Sequence, residues 1–537
     1  MSENIKPLEV EYLVIGAGPA GLQLGYFLDR AKRNYLILEA NAPGHFFTTF
    51  PRHRKLISNN KVHTGFDDLE LNLRWDWNSL LADDQRLLFK HYSQEYFPKA
   101  DTMVKYLGDF ASLLKLNLRC DSRVVRISKP DDRFVVTDQH GNQFFSRVVI
   151  VATGVPYQYV PPISGINYAE LYSRVSIDPK DFVGQRVLII GKGNSAFETA
   201  ENLIPAASLI HLASRHPLQM AWKSHYVGHL RAVNNELLDT YLLKGQNALV
   251  DAKIERIQRA NGQLCVSYGY AHADAEIEEI LYDRIILCAG FRWDHSIFDD
   301  TCRPLTAIDD RYPAQTSEWE SVNIPGLYFA GTLMHMRDFK KKQSGFIHGF
   351  RYNVKMLHTL LELKYEGRPL FHRSIPATPE AITDAIIKRV NVTSALWQQT
   401  GYMCDLIVAH RGQAEVEYYE DLTVDYVQDN FAKEEHYYTI TLEFGQERID
   451  AAPDVFQVSR PHKNDVSQAH MSTGIHPIVR RYDGGRLLRV HHVIEDFASE
   501  WREQVHVRPL AELMAGEFSM GMSPSGASSA RKAALVS

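Results

Sequence analysis

The stretch that decides the fold is EYLVIGAGPAGLQLGYFLDRAKRNYLILEA, residues 11–40. An apolar run at 12–15 leads into a glycine-rich turn at 16–21, and an amphipathic helix and a second apolar run ending at Glu39 follow. Short apolar runs beside such a helix predict buried parallel strands. Strand, turn, helix, strand and terminal acid, in this order, predict a Rossmann-type dinucleotide-binding unit.

The glycines and the acid of this unit each have a role in holding a dinucleotide. Gly16 permits the tight turn, Gly18 lets the backbone approach a pyrophosphate, and Gly21 lets helix and strand pack closely. The helix N-terminus offers N–H groups and a positive dipole to phosphates. Glu39 is placed to accept hydrogen bonds from a ribose hydroxyl.

A second unit of the same kind begins at Arg186. The apolar run at 187–190 leads into GKGNSA, residues 191–196, in which alanine replaces the third glycine. Where the first unit has Glu39, the second has Ser214 and Arg215. An acid at this position favours the 2′-hydroxyl of NAD, whereas an arginine accommodates the 2′-phosphate of NADP. The second unit is therefore predicted to bind NADPH.

Later strands end in small residues and define the domain order. Ala-Thr-Gly at 152–154 closes the first half, Ala-Gly at 289–290 closes the second, and a return strand ends in Ala-Gly-Thr at 330–332. The pattern changes after residue 368, and the tail is rich in Ser, Met, Ala and Gly. We predict an α/β fold with two Rossmann-like domains, the second inserted in the first, and a C-terminal α+β domain. The predicted bounds are 8–165 and 291–368 for the FAD-binding domain, 166–290 for the NADPH-binding domain, 370–515 for the C-terminal domain and 516–537 for a disordered tail.

Composition narrows the function classes. The chain has 537 residues and a net charge of −6, which argues against an obligate nucleic-acid binder. No apolar run reaches membrane-spanning length, and the polar start leaves no room for a signal peptide. The five cysteines are scattered with no CxxC pair, which is typical of reduced thiols in cytoplasm. His225 and His229 are four residues apart, but no third ligand is apparent, so no metal site is predicted.

With two dinucleotide motifs and the return strand, the chain resembles the two-dinucleotide-domain flavoproteins, which include thioredoxin reductases, flavin-containing monooxygenases and N-hydroxylases. More closely, it is similar to the FAD-dependent oxidoreductase domain-containing family that includes the ER flavoprotein associated with degradation. The resemblance rests on blocks at 52–58, 74–80, 104–110, 193–202, 225–228, 345–352 and 491–497. The expected lack of a leader and a retention signal means that ER biology is not carried over.

The resemblance implies FAD at the first motif and NADPH at the second. The implied FAD-binding residues are Gly16, Gly18, Pro19, Ala20, Gly21, Glu39, Val124, Thr153, Gly154, Gly331, Thr332 and Phe346. The implied NADPH-binding residues are Gly191, Gly193, Asn194, Ser195, Ala196, Ser214, Arg215, Ala289 and Gly290. Many relatives have an aspartate where this chain has Thr332, so that contact to the flavin side chain is not carried over.

The chemistry after flavin reduction separates three hypotheses. A disulfide reductase needs a dithiol beside the flavin. The sequence offers no CxxC, and a separated pair such as Cys288 and Cys302 would have to meet through folding. A monooxygenase needs a closed apolar pocket, which the aromatic-rich segment from Phe46 to Trp77 can supply as a lid. A flavin-binding interaction module is the third hypothesis.

We predict a single-component monooxygenase that oxygenates a nitrogen or sulfur of a small molecule through a C4a-hydroperoxyflavin. A Baeyer–Villiger type is disfavoured, because Tyr172 and Ser176 stand where its motif has His and Trp. The main alternative is an NADPH-dependent flavin reductase or oxidase, or a thiol-linked oxidoreductase without a CxxC pair. The predicted partners are a small-molecule substrate and molecular oxygen, with a homodimer as the candidate assembly. No residue is identified as a catalytic acid or base.

Overall fold

The computed structural model describes residues 8–274 and 276–518. The chain divides into two compact units, Met1–Arg368 and Pro369–Ser537. Most of the predicted tail, residues 519–537, lies outside the described residues, whereas residues 516–518 belong to the last helix.

The first unit alternates strands and helices. Its strands are β1 Leu8–Ile15, β2 Tyr35–Leu38, β3 Leu118–Arg119, β4 Val124–Ser128, β5 Phe134–Asp138, β6 Gln143–Val151, β7 Tyr157–Gln158, β8 Glu170–Leu171, β9 Arg186–Ile190, β10 Leu209–Ser214, β11 Ala248–Ala260, β12 Gln263–Tyr270, β13 Ile277–Tyr282, β14 Arg284–Leu287, β15 Phe291–Arg292, β16 Thr306–Ala307, β17 Tyr312–Pro313 and β18 Leu327–Phe329. Its α-helices are α1 Pro19–Arg30, α2 Phe46–Thr49, α3 Leu69–Leu73, α4 Ala100–Leu113, α5 Asn194–Leu203, α6 Ala221–Ser224, α7 Glu236–Lys244 and α8 Ile347–Glu366.

Two seven-stranded sheets of similar design organise this unit. The first has the order β3-β2-β1-β6-β5-β4, with β18 also paired to β6. The second has the order β13-β12-β11-β10-β9-β14-β8. In both, parallel strands are extended on one side by antiparallel strands. Since β18 joins the first sheet after the whole second sheet has been completed, the second Rossmann-like unit is inserted in the first, as predicted.

The register of the strands brings the motif residues together. Ile15 pairs with Leu38 and with Val151, which in turn pairs with Phe329, so the carboxyl ends of four strands lie side by side. Ile190 pairs in the same way with Ala213 and Leu287 in the second sheet. Ligands of open α/β sheets bind at such carboxyl ends. A buried apolar core against each sheet fixes this arrangement.

The second unit is built on a six-stranded sheet. Its strands are β19 Arg373–Pro376, β20 Met403–Val408, β21 Glu415–Thr423, β22 Tyr437–Glu443, β23 His476–Asp483 and β24 Arg486–His492. Its α-helices are α9 Pro379–Val392, α10 Ala395–Gln398, α11 Val424–Asn430, α12 Gln446–Ala451 and α13 Gln504–Phe518. The order is β19-β21-β20-β22-β23-β24, and every pairing is antiparallel. The strands β23 and β24 form a hairpin, in which Gly484 and Gly485 make the turn with φ values of 52° and 79°.

Among the described residues, no helix combines the length and the apolar character that crossing a membrane requires.

Candidate functional site

A cavity of about 1660 Å³ lies at the carboxyl ends of the two parallel sheets in the first unit. All of the predicted cofactor-binding residues line it except Gly21 and Ala196. Gly21 has the packing role instead, because a Cβ there would lie 1.9 Å from the carbonyl oxygen of Gly16. Ala196 is fully buried in the core beneath the second sheet. The two motifs, far apart in sequence, therefore share one cavity.

The first glycine of each motif is required by both backbone conformation and space. Gly16 has a φ of +105°, and a Cβ on it would lie 2.8 Å from the carbonyl oxygen of Ala152. Gly191 has a φ of +130°, and a Cβ on it would lie 2.3 Å from the carbonyl oxygen of Cys288. Side chains other than hydrogen are strained at such φ values. In both units the glycine turn therefore packs directly against the backbone at the end of a neighbouring strand, β6 in the first sheet and β14 in the second.

The helix N-termini behind these turns fit dinucleotide phosphates. Gly18 and Gly193 are the N-cap residues of α1 and α5, and neither helix has a side-chain cap. A Cβ on either glycine would meet nothing within 4 Å, so there is open space in front of each turn. The first N–H groups of a helix need acceptors, and phosphate oxygens supply them.

Backbone hydrogen bonds fix the position of the Glu39 carboxylate beside the first glycine turn. The backbone N–H groups of Ala17 and Asn41 donate to its two carboxylate oxygens at 2.7 and 2.9 Å. A carboxylate has about four acceptor positions, so capacity remains for a ribose hydroxyl. Nearby, the Thr153 hydroxyl is buried and has no hydrogen-bond partner among the described residues. An unpaired buried hydroxyl at the cavity wall is consistent with a bound polar group.

The end of β10 has the charge pattern of a phosphate site. Arg215 is exposed at the cavity, and the Ser214 hydroxyl donates to the carbonyl of His216 at 2.9 Å. Asp251, the register partner of Ser214, is ion-paired to the buried Lys192 ammonium of the glycine turn. This pairing neutralises an acid that would otherwise repel a 2′-phosphate.

The burial of Glu198 and the partners of Trp77 were not identified from the sequence, although the segment from Phe46 to Trp77 was expected to form a lid. Glu198 on α5 lines the cavity, and burial raises its pKa to about 7, against the smaller effect of the Asn234 amide, which donates to it at 3.5 Å. Trp77 stacks on His348 with ring centroids 4.4 Å apart, and the Arg231 guanidinium lies 5.0 Å from the Trp77 ring centroid. These contacts join the long loop segment to the start of α8, so the segment covers part of the cavity. Neither feature has a local sequence signal, because each depends on distant segments meeting.

Beside Thr332, a predicted cofactor-binding residue, the turn after β18 carries side chains that were not identified from the sequence. Thr332 lines the cavity and its hydroxyl donates to the Gly345 carbonyl at 3.3 Å. Behind it, His335 lies between Tyr226 and Asp338, with hydrogen-bond distances of 2.9 Å on both sides. The i, i+3 spacing of His335 and Asp338 was the only signal in the sequence.

The remaining reactive groups are the cysteines and the side chains that can bind metal ions. All five cysteines are free. Cys288 lines the cavity, and burial raises the pKa of its thiol. Cys302 lies in a different core cluster, where its thiol donates to the Ile127 carbonyl at 3.2 Å. Within residues 8–274 and 276–518, no cluster of three or more His, Cys, Asp or Glu side chains could hold a metal ion.

Comparisons with known proteins agree with this fold. The family model described as "Pyridine nucleotide-disulphide oxidoreductase" matches residues 13–331. "FAD-dependent oxidoreductase domain-containing protein 2" of Mus musculus is 38% identical over 94% of this chain and 83% of its own length. The protein of that name from Danio rerio is 35% identical over 95% of this chain and 83% of its own length. The solved structure "Flavin-containing monooxygenase from Stenotrophomonas maltophilia" has a TM-score of 0.52 at 22% identity, covering 66% of this chain and 98% of that one, which shows a shared fold.

The predicted resemblance is confirmed, since the family model covers more than half of the chain and the mouse relative matches nearly all of it. The chain belongs to the pyridine nucleotide-disulphide oxidoreductase family, and within it to the FAD-dependent oxidoreductase domain-containing proteins.

Proposed function

We propose that this oxidoreductase is a single-component monooxygenase, which consumes NADPH and oxygen and oxygenates a nitrogen or sulfur of a small molecule. FAD, when bound, supplies the two-electron chemistry that links NADPH to oxygen. The residues at the β1 and β18 ends would hold FAD, and the turn at Gly191 with Arg215 would hold NADPH.

The observation that carries the proposal is the single cavity that both glycine turns line. Hydride transfer requires the nicotinamide and the flavin ring to touch, and a shared cavity permits this without a separate carrier. Its volume of about 1660 Å³ exceeds the roughly 300–1,000 Å³ of ordinary ligand pockets, which leaves room for two cofactors.

The state of the cysteines argues against a disulfide reductase. Such an enzyme needs a pair of thiols beside the flavin, one of which must readily become a thiolate. Cys288 is the cysteine that lines the cavity within the described part of the chain, and burial raises its pKa, which disfavours the thiolate. Cys302, the thiol considered as its partner, belongs to another core cluster.

The wall of the cavity favours oxygen chemistry. The early loop contributes Phe46, Phe47, Phe50 and Trp77 to the lining. Aromatic side chains of this kind exclude water from the cavity. A reactive oxygen species needs this protection if it is to reach the substrate before it decays. The free thiols agree with a cytoplasmic setting; that setting and the homodimer stay predictions.

The test is an oxygen balance on the purified, FAD-loaded protein. NADPH oxidation, oxygen consumption and hydrogen peroxide are measured together with a panel of amines, thiols and thioethers. We expect one oxygen atom from ¹⁸O₂ in the product for each NADPH consumed in excess of peroxide.

Other outcomes overturn the proposal in distinct ways. Peroxide equal to NADPH with every compound would identify an oxidase. Reduction of disulfides without oxygen uptake would identify a reductase. No NADPH oxidation under any condition would favour the interaction module.

A further inference from the structure

Three buried polar side chains form a chain of hydrogen bonds at the cavity wall. The Tyr226 hydroxyl is 2.9 Å from Nε2 of His335, and Nδ1 of His335 is 2.9 Å from Oδ1 of Asp338. The exposed fractions of these residues are 8%, 3% and 3%. Tyr226 and His335 line the same cavity as the predicted flavin-side residues Thr332 and Phe346.

The backbone fixes which ring nitrogen of His335 is protonated. The Lys340 N–H points at Nε2 from 3.3 Å, and a backbone N–H can only donate. Nε2 is therefore an acceptor, and the imidazole proton is on Nδ1, where the Asp338 carboxylate accepts it. It follows that the Tyr226 hydroxyl donates to Nε2 as well, which leaves its oxygen lone pairs as acceptors.

The hydrogen-bonded series of Tyr226, His335 and Asp338 is held in place by its neighbours. The Ser344 N–H donates to the other carboxylate oxygen of Asp338 at 3.0 Å. The Tyr226 and His335 rings are stacked, with an interplanar angle of 10°. A Cβ on Gly345 would come within 3.1 Å of the His335 ring, so the loop before α8 holds the imidazole from behind.

We propose that Tyr226, His335 and Asp338 form a proton relay that deprotonates a thiol substrate, with Tyr226 as the residue that touches it. This inference rests on the proposed monooxygenase function and narrows its substrate class. A substrate S–H gives its proton to the Tyr226 oxygen, while the Tyr226 proton passes to Nε2 of His335. The products of this step are a thiolate, an unchanged tyrosine and an imidazolium that is paired with Asp338.

The charges around the relay favour a thiol over an amine. Arg311 and Lys340 line the same cavity as Tyr226, and positive side chains there stabilise an anion and disfavour an ammonium. Asp338 is the acid that faces His335, and its charge is needed for the imidazolium. Burial raises the pKa of the Tyr226 hydroxyl, so the tyrosine stays neutral and conducts the proton without keeping the charge.

The overall reaction balances with the co-reactants already named. One thiol, one O₂, one NADPH and one proton give one sulfenic acid, one NADP⁺ and one water. The thiolate is the nucleophile and is oxidised, and NADPH supplies the two electrons that reduce the second oxygen atom. A thioether has no proton to remove, so its oxygenation bypasses the relay and provides an internal reference.

The test compares three probes at neutral pH: 2-mercaptoethanol, its S-methyl derivative 2-(methylthio)ethanol, and the corresponding amine, ethanolamine. The sulfenic acid is trapped with dimedone and the sulfoxide is measured by mass spectrometry. In Tyr226→Phe we expect the ratio of thiol to thioether oxygenation to fall roughly 10²-fold, the lower end of general-base effects. Tyr157→Phe, which removes an exposed hydroxyl from the wall of the same cavity, is the matched control and should keep the ratio.

A second measurement reads the relay without turnover. In protein labelled with [¹⁵N]histidine, the His335 signals are identified by their loss in His335→Asn. We expect a protonated Nδ1 and an unprotonated Nε2 in the wild type. In Asp338→Asn we expect a weaker preference for this tautomer, because the Lys340 N–H still favours it but the Asp338 carboxylate, a positioning residue, no longer does.

The outcomes separate this inference from the proposed function. An unchanged thiol-to-thioether ratio in Tyr226→Phe, or a proton on Nε2 of His335, would overturn the relay. Oxygenation of the thioether or of ethanolamine, with none of the thiol, would overturn the substrate class. Oxygen transfer to none of the three probes, with all NADPH lost as peroxide, would refute the monooxygenase proposal itself.

Discussion

Replacing Glu198 by glutamine should stabilise the protein at alkaline pH and leave it nearly unchanged at pH 5. Glu198 is on α5, faces the cavity and has its pKa raised by burial from an ordinary 4.5 to about 7. The neighbouring Glu201 carboxylate raises this pKa further, whereas the Asn234 amide and Lys55 lower it. Glutamine keeps the shape and the acceptor for Asn234 but has no charge to bury.

The magnitude follows from linkage between ionisation and folding. Below pH 4.5 the carboxyl is protonated in both the folded and the unfolded chain, so it has no effect on the free energy of unfolding. Between pH 4.5 and 7 only the unfolded chain ionises, and the folded state loses stability as pH rises. Each pKa unit corresponds to about 1.4 kcal/mol. Above pH 7, burying the ionised Glu198 carboxylate therefore lowers the free energy of unfolding by about 3 kcal/mol, and Glu198→Gln removes this loss.

The assay is thermal unfolding of the wild type and Glu198→Gln from pH 5 to 8.5, with the exposed Glu95→Gln as control. We expect the difference in midpoint between Glu198→Gln and wild type to grow from pH 5 to about pH 7 and then to level off, and the control to follow the wild type. A pH-independent difference, or a lower midpoint for the variant at pH 8.5, would refute the argument that a buried charge is relieved.

Three further predictions concern the site directly. Arg215→Ala should raise the KM for NADPH about 10- to 100-fold, the worth of one hydrogen bond to a charged group, and change the KM for NADH little; equal effects on both would contradict the phosphate assignment. Gly191→Ala should abolish NADPH-driven flavin reduction, because its Cβ would lie 2.3 Å from a backbone oxygen, whereas Gly245→Ala, with nothing within 4 Å of its Cβ, should retain it; stopped-flow absorbance measures both, and an active Gly191→Ala would exclude this turn as the NADPH site. Cys288→Ala, alone or combined with Cys302→Ala, should keep NADPH oxidation within about 2-fold in a steady-state assay, since a buried thiol with a raised pKa is a poor nucleophile; a loss of more than 10-fold would restore the thiol-based mechanism.

Both cofactor turns could be read from the sequence because their requirements are local. A glycine at residue 16 or 191 is dictated by a positive φ and by the strand beside it, and both needs recur wherever a strand turns into a phosphate-binding helix. The identity of the residue after the second strand, Glu39 or Arg215, is equally local, so the prediction of which nucleotide each unit takes also comes from the sequence. The insertion of one unit in the other followed from the order of the strand endings.

Tertiary structure alone brought together the groups that surround the reaction. Glu198 has a raised pKa because the folded protein buries it, and no spacing in the chain reports burial. Tyr226 and His335 are 109 residues apart, and their hydrogen bond exists only because the turn after β18 meets the segment beyond α6. By itself, the sequence determined the fold and the cofactor turns, since these depend on contacts within one strand–turn–helix unit. Only the tertiary structure determined which side chains form the proton-transfer groups. Their chemistry depends on burial, and they are buried only where segments that are distant in the sequence pack together.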